Sequence, residues 1–240
     1  MARAMARGWA RPVLCTDVLA ERARALADEL GGEALPSGAE VARRADLVVL
    51  CHKPAQLGAV AAEVAPHARA VVSVLGGTPL ADVKAAYPGR PVFRVLPSTP
   101  VEVRQGAVVL AVDDEQEPEL AGAVRELFGQ LGTLVELDDA LVDVAMGLMS
   151  NAPAYYALVV EAQVDAGVRR GLQADRASEL VVQTMAGTAE LLRRASFDTL
   201  AARRAVTSPG GSTARGLAAL ERGGVRAAFS DALDAILDTA

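Results

Sequence analysis

The sequence predicts an α/β domain with a mostly parallel sheet, followed by an all-helical domain. Two observations carry this. Up to Leu137, short apolar runs rich in β-branched residues alternate with helix-periodic segments; beyond it, every periodic segment is helical. Strands and helices alternating at this spacing pair in parallel with both faces covered. The composition agrees, with 52% hydrophobic and 22% charged residues in a chain of 240, which suits a folded globular chain and excludes a disordered one.

The elements follow in order. Pro12–Cys15 is a short β-like run that closes at Asp17, and Leu19–Leu30 reads as a helix stopped by Gly31-Gly32. Ser37 and Glu40 have the spacing of a capping box for a helix to Arg44. Asp46–Cys51 and Ala70–Leu75 are continuous apolar runs, the pattern of strands buried on both faces. Ala55–Ala65, Pro79–Tyr87 and Gln116–Gln130 are helical; Pro91–Leu96, Gly106–Val112 and Thr133–Leu137 are strands. The helices then run over Asp139–Met149, Pro153–Arg170, Ala174–Arg194, Asp198–Ala205, Ser212–Arg222 and Val225–Thr239. The predicted domains are 1–137 and 138–240. Apolar stripes at Leu141, Val144, Ala145 and Leu148, and at Leu180, Val181, Met185 and Leu192, exceed what one thin bundle buries. Such surplus predicts a second copy packed against the helical domain.

Charge and composition exclude several classes. A net charge of -6 and a pI near 5.1 argue against nucleic-acid binding, which needs a basic stripe. Mean hydropathy is +0.26. Even so, the longest charge-free stretch, between Asp143 and Glu161, is interrupted by Ser150, Asn151 and Pro153, so no membrane span is expected. Cys15, Cys51, His52 and His67 cannot assemble a structural zinc site. Met1–Pro12 lacks the apolar core of a secretory signal. A reducing cytoplasm is the expected compartment.

Parallel α/β sheets bind ligands beyond the carboxyl ends of their strands. At those ends stand Asp17, His52-Lys53-Pro54, Gly76-Gly77 and Pro97-Ser98-Thr99-Pro100. An acid in the position of Asp17 accepts ribose hydroxyls, although a turn or helix cap explains it equally well. Lys53 is one of only two lysines, with Lys84. A second candidate is Thr207-Ser208-Pro209-Gly210-Gly211-Ser212-Thr213, two glycines leading straight into a helix. Its first amides would receive a carboxylate or phosphate, although an ordinary helix cap has the same spacing. No G-x-S-x-G elbow and no G-x-G-x-x-G occurs. Glu161 and Asp165 share a helix face, and Asp165 with Arg169 reads as surface pairing.

Together these segments resemble the pyrroline-5-carboxylate reductase family. His52-Lys53-Pro54 resembles its V-K-P and Pro97–Pro100 its P-N-T-P. Pro153-Ala154-Tyr155 is similar to the end of S-G-S-G-P-A-Y. Glu161, Asp165, Ala166, Gly167, Gly171 and Leu172 follow E-A-x-x-D-A-G-x-x-x-G-L. Gln183-Thr184 with Gly187 is similar to Q-T-x-x-G, and Thr207–Thr213 to T-S-P-G-G-T-T. The resemblance implies a Rossmann-like domain that binds NADPH or NADH, an all-helical dimerisation domain, and reduction of a cyclic imine acid. Carried over, Lys53, Pro54 and Ser98 would line the nicotinamide end of the cofactor, and Asp17, His52 and Gly76 are expected to face it from their strand-end positions. Ser208, Gly210, Gly211, Ser212 and Thr213 would face the substrate, with Thr213 near the imine nitrogen as the catalytic residue, and Asn151, a departure from the family pattern, would reshape that pocket. Asp17 favours NADH, while Arg22 and Arg24 could meet a 2′-phosphate. The implied partner is a second copy, with a higher oligomer as the alternative.

Four departures accompany the likeness. Met1-Ala2-Arg3-Ala4 resembles the start of the family's first helix, so its first strand and glycine loop would need about ten upstream residues. Ser98 stands for Asn, Met149-Ser150-Asn151-Ala152 for S-G-S-G, and His52 for a small apolar residue. The alternative they favour is a non-catalytic or altered-substrate paralogue.

Overall fold

The computed structural model describes residues 1–238. They group into two compact units, one through Pro153 and one from Ala154 onward. In the first unit, the apolar runs become a five-stranded sheet of β3 (Val48–Leu50), β4 (Val71–Ser73), β5 (Val92–Pro97), β6 (Gly106–Ala111) and β7 (Gly132–Leu137), side by side in that order. Upstream lie α1 (Ala2–Trp9) and a separate parallel pair, β1 (Leu14–Cys15) and β2 (Glu33–Ala34), joined by α2 (Ala20–Leu30). β2 was not expected, because Glu33-Ala34 lies between Gly31-Gly32 and Pro36 and has no β-branched residue.

The register explains how both faces are buried. Val71 pairs with Val92 and Val72 with Phe93, so successive residues face opposite sides of the sheet. One side packs Val72, Phe93, Val95, Val108 and Leu110 against Met5 of α1 and Val124 and Phe128 of α6 (Pro118–Gly129). The other packs Val48, Leu50, Val71 and Val92 under α3 (Gly38–Arg44), α4 (Leu57–Val64) and α5 (Leu80–Ala86). Each fully buried side chain of this size contributes about 1.5–3 kcal/mol. Trp9 meets Phe128 edge-on at 5.5 Å and donates its indole N–H to the Leu127 carbonyl at 2.9 Å.

One ladder departs from the parallel expectation. β5 and β6 are antiparallel, because the 3-10 turn Thr99–Val103 links them in fewer residues than a parallel crossover requires. That link also receives α1. A Cβ on Gly8 would lie 2.2 Å from the Val101 carbonyl oxygen, so only glycine allows this approach.

α7 (Asp139–Met149) belongs to the sheet unit. Strands end at Leu137, where the sequence pattern changes, but the compact unit continues to Pro153. Val142 is buried against Leu96, Val109 and Ala111. Of the expected stripe, Ala145 packs against this cluster while Leu141 and Leu148 stay exposed.

The second unit carries the rest of α8 (Ala152–Val168), then α9 (Ala174–Arg194), α10 (Thr199–Ala205), α11 (Ser212–Arg222) and α12 (Val225–Leu237). The expected helix end at Thr239 lies outside the described residues. Ala177 alone is buried among the described residues of this unit. Two side-chain expectations are corrected. Ser37 accepts from the Glu40 amide at 3.2 Å, but the Glu40 carboxylate turns to Arg43, so only half of the capping box forms. Asp165 and Arg169 share a backbone helix bond and no ion pair; at the exposed surface such a pair gains too little to fix two side chains.

Candidate functional site

The five-stranded sheet brings His52, Lys53, Pro54, Gly76 and Ser98 to the carboxyl ends of its strands, whereas Asp17 follows a strand of the separate pair and Asn151 follows α7. Asp17 follows β1 and is exposed; one carboxylate oxygen accepts the Leu19 amide at 2.9 Å, which leaves the other open. Burial first, and the Asp17 charge second, raise the Cys15 thiol above its ordinary value, so Cys15 is protonated at neutral pH.

His52, Lys53 and Pro54 follow β3. Pro54 opens a 3-10 turn whose geometry is closed by Gln56: its amide donates to the Lys53 carbonyl at 2.9 Å, and its side-chain oxygen accepts the Lys53 amide at 3.1 Å. The Lys53 backbone is therefore fixed from both sides while the residue remains exposed. His52 Nδ1 lies 2.9 Å from the Lys53 carbonyl oxygen. Donation there makes Nε2 an acceptor, and Nε2 is buried without a hydrogen-bond partner.

Gly76 and Gly77 follow β4. Gly77 has φ +67° and nothing within 4 Å of a built Cβ, so the turn is open on its outer side. A Cβ on Gly76 would come 3.0 Å from the Met146 sulfur. Ser98 follows β5 but is 2% exposed. Its hydroxyl donates to the Ala107 carbonyl at 3.0 Å and accepts the Ala107 amide at 2.9 Å, which locks the β5–β6 link. Asn151 follows α7, half-buried, with its amide bonded to the Met146 carbonyl at 3.2 Å. Beside it, Ser150 donates its hydroxyl to the Pro97 carbonyl at 3.1 Å.

The remaining candidates lie together in the second unit. Gly210 adopts φ +68°, a left-handed conformation open to glycine, and the Gly211 amide closes on the Ser208 carbonyl at 3.0 Å. A Cβ on Gly211 would lie 2.4 Å from Ser208 Oγ, so the second glycine makes room for the serine hydroxyl. Gly211 caps α11 without a side-chain acceptor. The amides of Ser212 and Thr213 consequently point out of the helix, where the dipole favours an anion. Arg215, which sequence reasoning passed over, donates to the Gly210 carbonyl at 2.7 Å and adds positive charge. Its one signal was an arginine in the first turn after the double glycine.

Three further residues were missed. Arg94, in β5, is 1% exposed. It pairs with Asp139 at 2.8 Å and Asp143 at 2.6 Å on α7. The signal was an arginine inside the apolar run Pro91–Leu96.

A sheet domain with its turns gathered at strand ends, joined to a helical domain with an anion-receiving helix start, defines a two-domain, Rossmann-like oxidoreductase. Comparisons with known proteins sharpen this. Residues 139–240 match a family model described as pyrroline-5-carboxylate reductase dimerisation. Residues 1–77 match one described as NADP oxidoreductase coenzyme F420-dependent. The chain is 35% identical over 202 residues to a pyrroline-5-carboxylate reductase of Synechocystis, covering 83% of this chain and 76% of that one. The solved 1-pyrroline-5-carboxylate reductase of Streptococcus pyogenes is 28% identical with a TM-score of 0.90, covering 100% of this chain and 93% of that one. A Plasmodium falciparum pyrroline carboxylate reductase solved with NADP bound shares the fold at 24% identity and a TM-score of 0.88, covering 98% and 91%. The chain belongs to the pyrroline-5-carboxylate reductase family.

Proposed function

We propose that this protein reduces the C=N bond of 1-pyrroline-5-carboxylate to give L-proline, with NADPH or NADH as reductant and as a homodimer through its helical domain. The observation that carries the reading is the Ser208–Thr213 turn. It pairs open first-turn amides with hydroxyls of Ser208, Ser212 and Thr213, the donor set an amino-acid carboxylate needs.

The residues at the strand ends fit a dinucleotide. Asp17 keeps one carboxylate oxygen for a ribose hydroxyl, and the open Gly76-Gly77 turn lets a ligand approach the backbone. The N-cap of α1, Met1, supplies no side-chain acceptor, and the first helical bond starts at the Met5 amide. The amides of Ala2 to Ala4 thus suit a phosphate. A bound reduced nicotinamide supplies the hydride that the imine carbon accepts, while the nitrogen takes a proton. Lys53, fixed by Pro54 and Gln56, and the Pro97-Ser98 turn would orient the nicotinamide end. Thr213 would hold the imine nitrogen through its hydroxyl, and the turn behind it would fix the carboxylate. Rate acceleration on this scheme comes from orientation. Asn151 would face the substrate.

No helix among the described residues is long and apolar enough to cross a membrane. Both cysteines are free, which suits the reducing cytoplasm we assign it. The test is oxidation of NADH and NADPH, followed by absorbance, with pyrroline-5-carboxylate added. Thr213→Ala is expected to lower kcat/KM about 10- to 100-fold, the loss of one hydrogen bond to a charged group. A wild-type chain without turnover overturns the reductase reading and favours the paralogue.

A further inference from the structure

We infer that the buried Arg94 and the partly exposed Asp139 and Asp143 form a positioning device that sets the shape of the cofactor-facing turn Gly76–Leu80 and of α7 behind it. The inference rests on the dinucleotide reading above and concerns residues to which that reading assigns no role.

The geometry is a branched clamp. Arg94 donates through one terminal nitrogen to Asp139 Oδ1 at 2.8 Å and through the other to Asp143 Oδ1 at 2.6 Å. Each carboxylate then holds one end of the same turn: Asp143 Oδ1 accepts the Gly77 amide at 3.3 Å, and Asp139 Oδ2 accepts the Leu80 amide at 2.9 Å. At its other end α7 is tied by Ser150 to the Pro97 carbonyl, and in between Met146 packs over Gly76. One guanidinium therefore fixes the helix, and the helix fixes two of the strand-end turns, Gly76-Gly77 and Pro97-Ser98.

The chemistry favours positioning over stabilisation. Replacing a buried ion pair by apolar residues of similar volume is often neutral or better for stability, and Leu96, Val109 and Val142 already pack β5 and β6 against α7. A hydrophobic residue at 94 could continue that packing. It could not hold two carboxylates at a set separation, which the planar guanidinium fork does. Lysine, a single ammonium, cannot serve both at once. Arg94 Nε has no partner although buried, an unfavourable feature that packing alone would not retain.

The test compares wild type with Asp143→Ala, Asp143→Asn and Arg94→Lys, because Arg94→Met could fail to fold. Dissociation constants of NADPH and NADH are read from the fluorescence of the reduced cofactor without substrate; steady-state constants and Tm are measured alongside. Asp143→Ala is expected to weaken cofactor binding and raise the cofactor KM about tenfold, with the imine-acid KM unchanged. Asp143→Asn keeps an acceptor oxygen and should restore most of the affinity; Arg94→Lys should fall between. Variants that lose Tm while cofactor affinity and KM stay at wild-type values overturn the inference and leave the clamp as structure only. Absence of turnover, with cofactor binding that still weakens in Asp143→Ala, overturns the reductase reading and supports the clamp. A wild-type chain that binds neither dinucleotide overturns both.

Discussion

Phe128 on α6 and Leu191 on α9 are both large apolar residues on amphipathic helices, yet Phe128 is fully buried and Leu191 is 64% exposed. The contrast extends across the two units. The first encloses two clusters on opposite faces of its sheet and a third under α7. The second leaves Leu158, Leu180, Val182, Leu191 and Leu220 more than half exposed. A sheet can bury apolar residues on both faces at once. Slender helices in one layer cannot, and their stripes need another surface. The first unit therefore carries its core within one chain, whereas the second is built to complete its core with another copy, as the dimerisation match over residues 139–240 suggests.

Three measurements would break or sharpen this contrast. The largest effect is expected from Phe128→Ala, which opens a cavity in the first unit's own core and should cost about 3–5 kcal/mol. Thermal unfolding reads it, and a loss no larger than that of a surface substitution would remove the claim of a self-contained core. Leu180→Glu is the counterpart in the second unit. On an isolated surface it should change stability by no more than about 0.5 kcal/mol. In a homodimer it should instead lower the sedimenting mass toward that of one chain, and an unchanged mass would place the interface elsewhere.

The smallest effect concerns Tyr87 in the first unit. Its hydroxyl is buried without a partner, and burial pushes its pKa up to about 12. Because the folded state holds the proton more tightly, the wild type keeps this contribution below pH about 10 and loses it as pH rises toward about 12. Tyr87→Phe should flatten that alkaline limb of the Tm profile and leave neutral-pH stability equal or slightly higher. Parallel limbs for both proteins would show that Tyr87 does not titrate with unfolding.

The strands β3, β4 and β6 were legible because a strand covered on both faces is a near-continuous apolar run, as Asp46–Cys51, Ala70–Leu75 and Gly106–Val112 are, and β5 was legible despite Arg94 within Pro91–Leu96. The strand-end turns were legible for the same reason, since the end of such a run places Lys53 or Gly76 without further information. The double glycine before Ser212 also marked its helix start locally. Less was legible in the site's interior. Nothing near Ser98 in the chain shows that its hydroxyl is closed on Ala107, and Glu33-Ala34 of β2 has no β-branched residue to mark a strand.

The sequence by itself thus determined the order of the main elements and the change from alternating strands and helices to helices alone at Leu137. Each is encoded by spacing over a few residues. Only the tertiary structure decided that β6 runs against β5, that α7 joins the sheet unit through Pro153, and that Arg94 reaches Asp139 and Asp143 to hold the Gly77–Leu80 turn. Those choices join residues 45 and 49 positions apart or depend on which face a neighbouring element leaves open. Local periodicity carries no record of either.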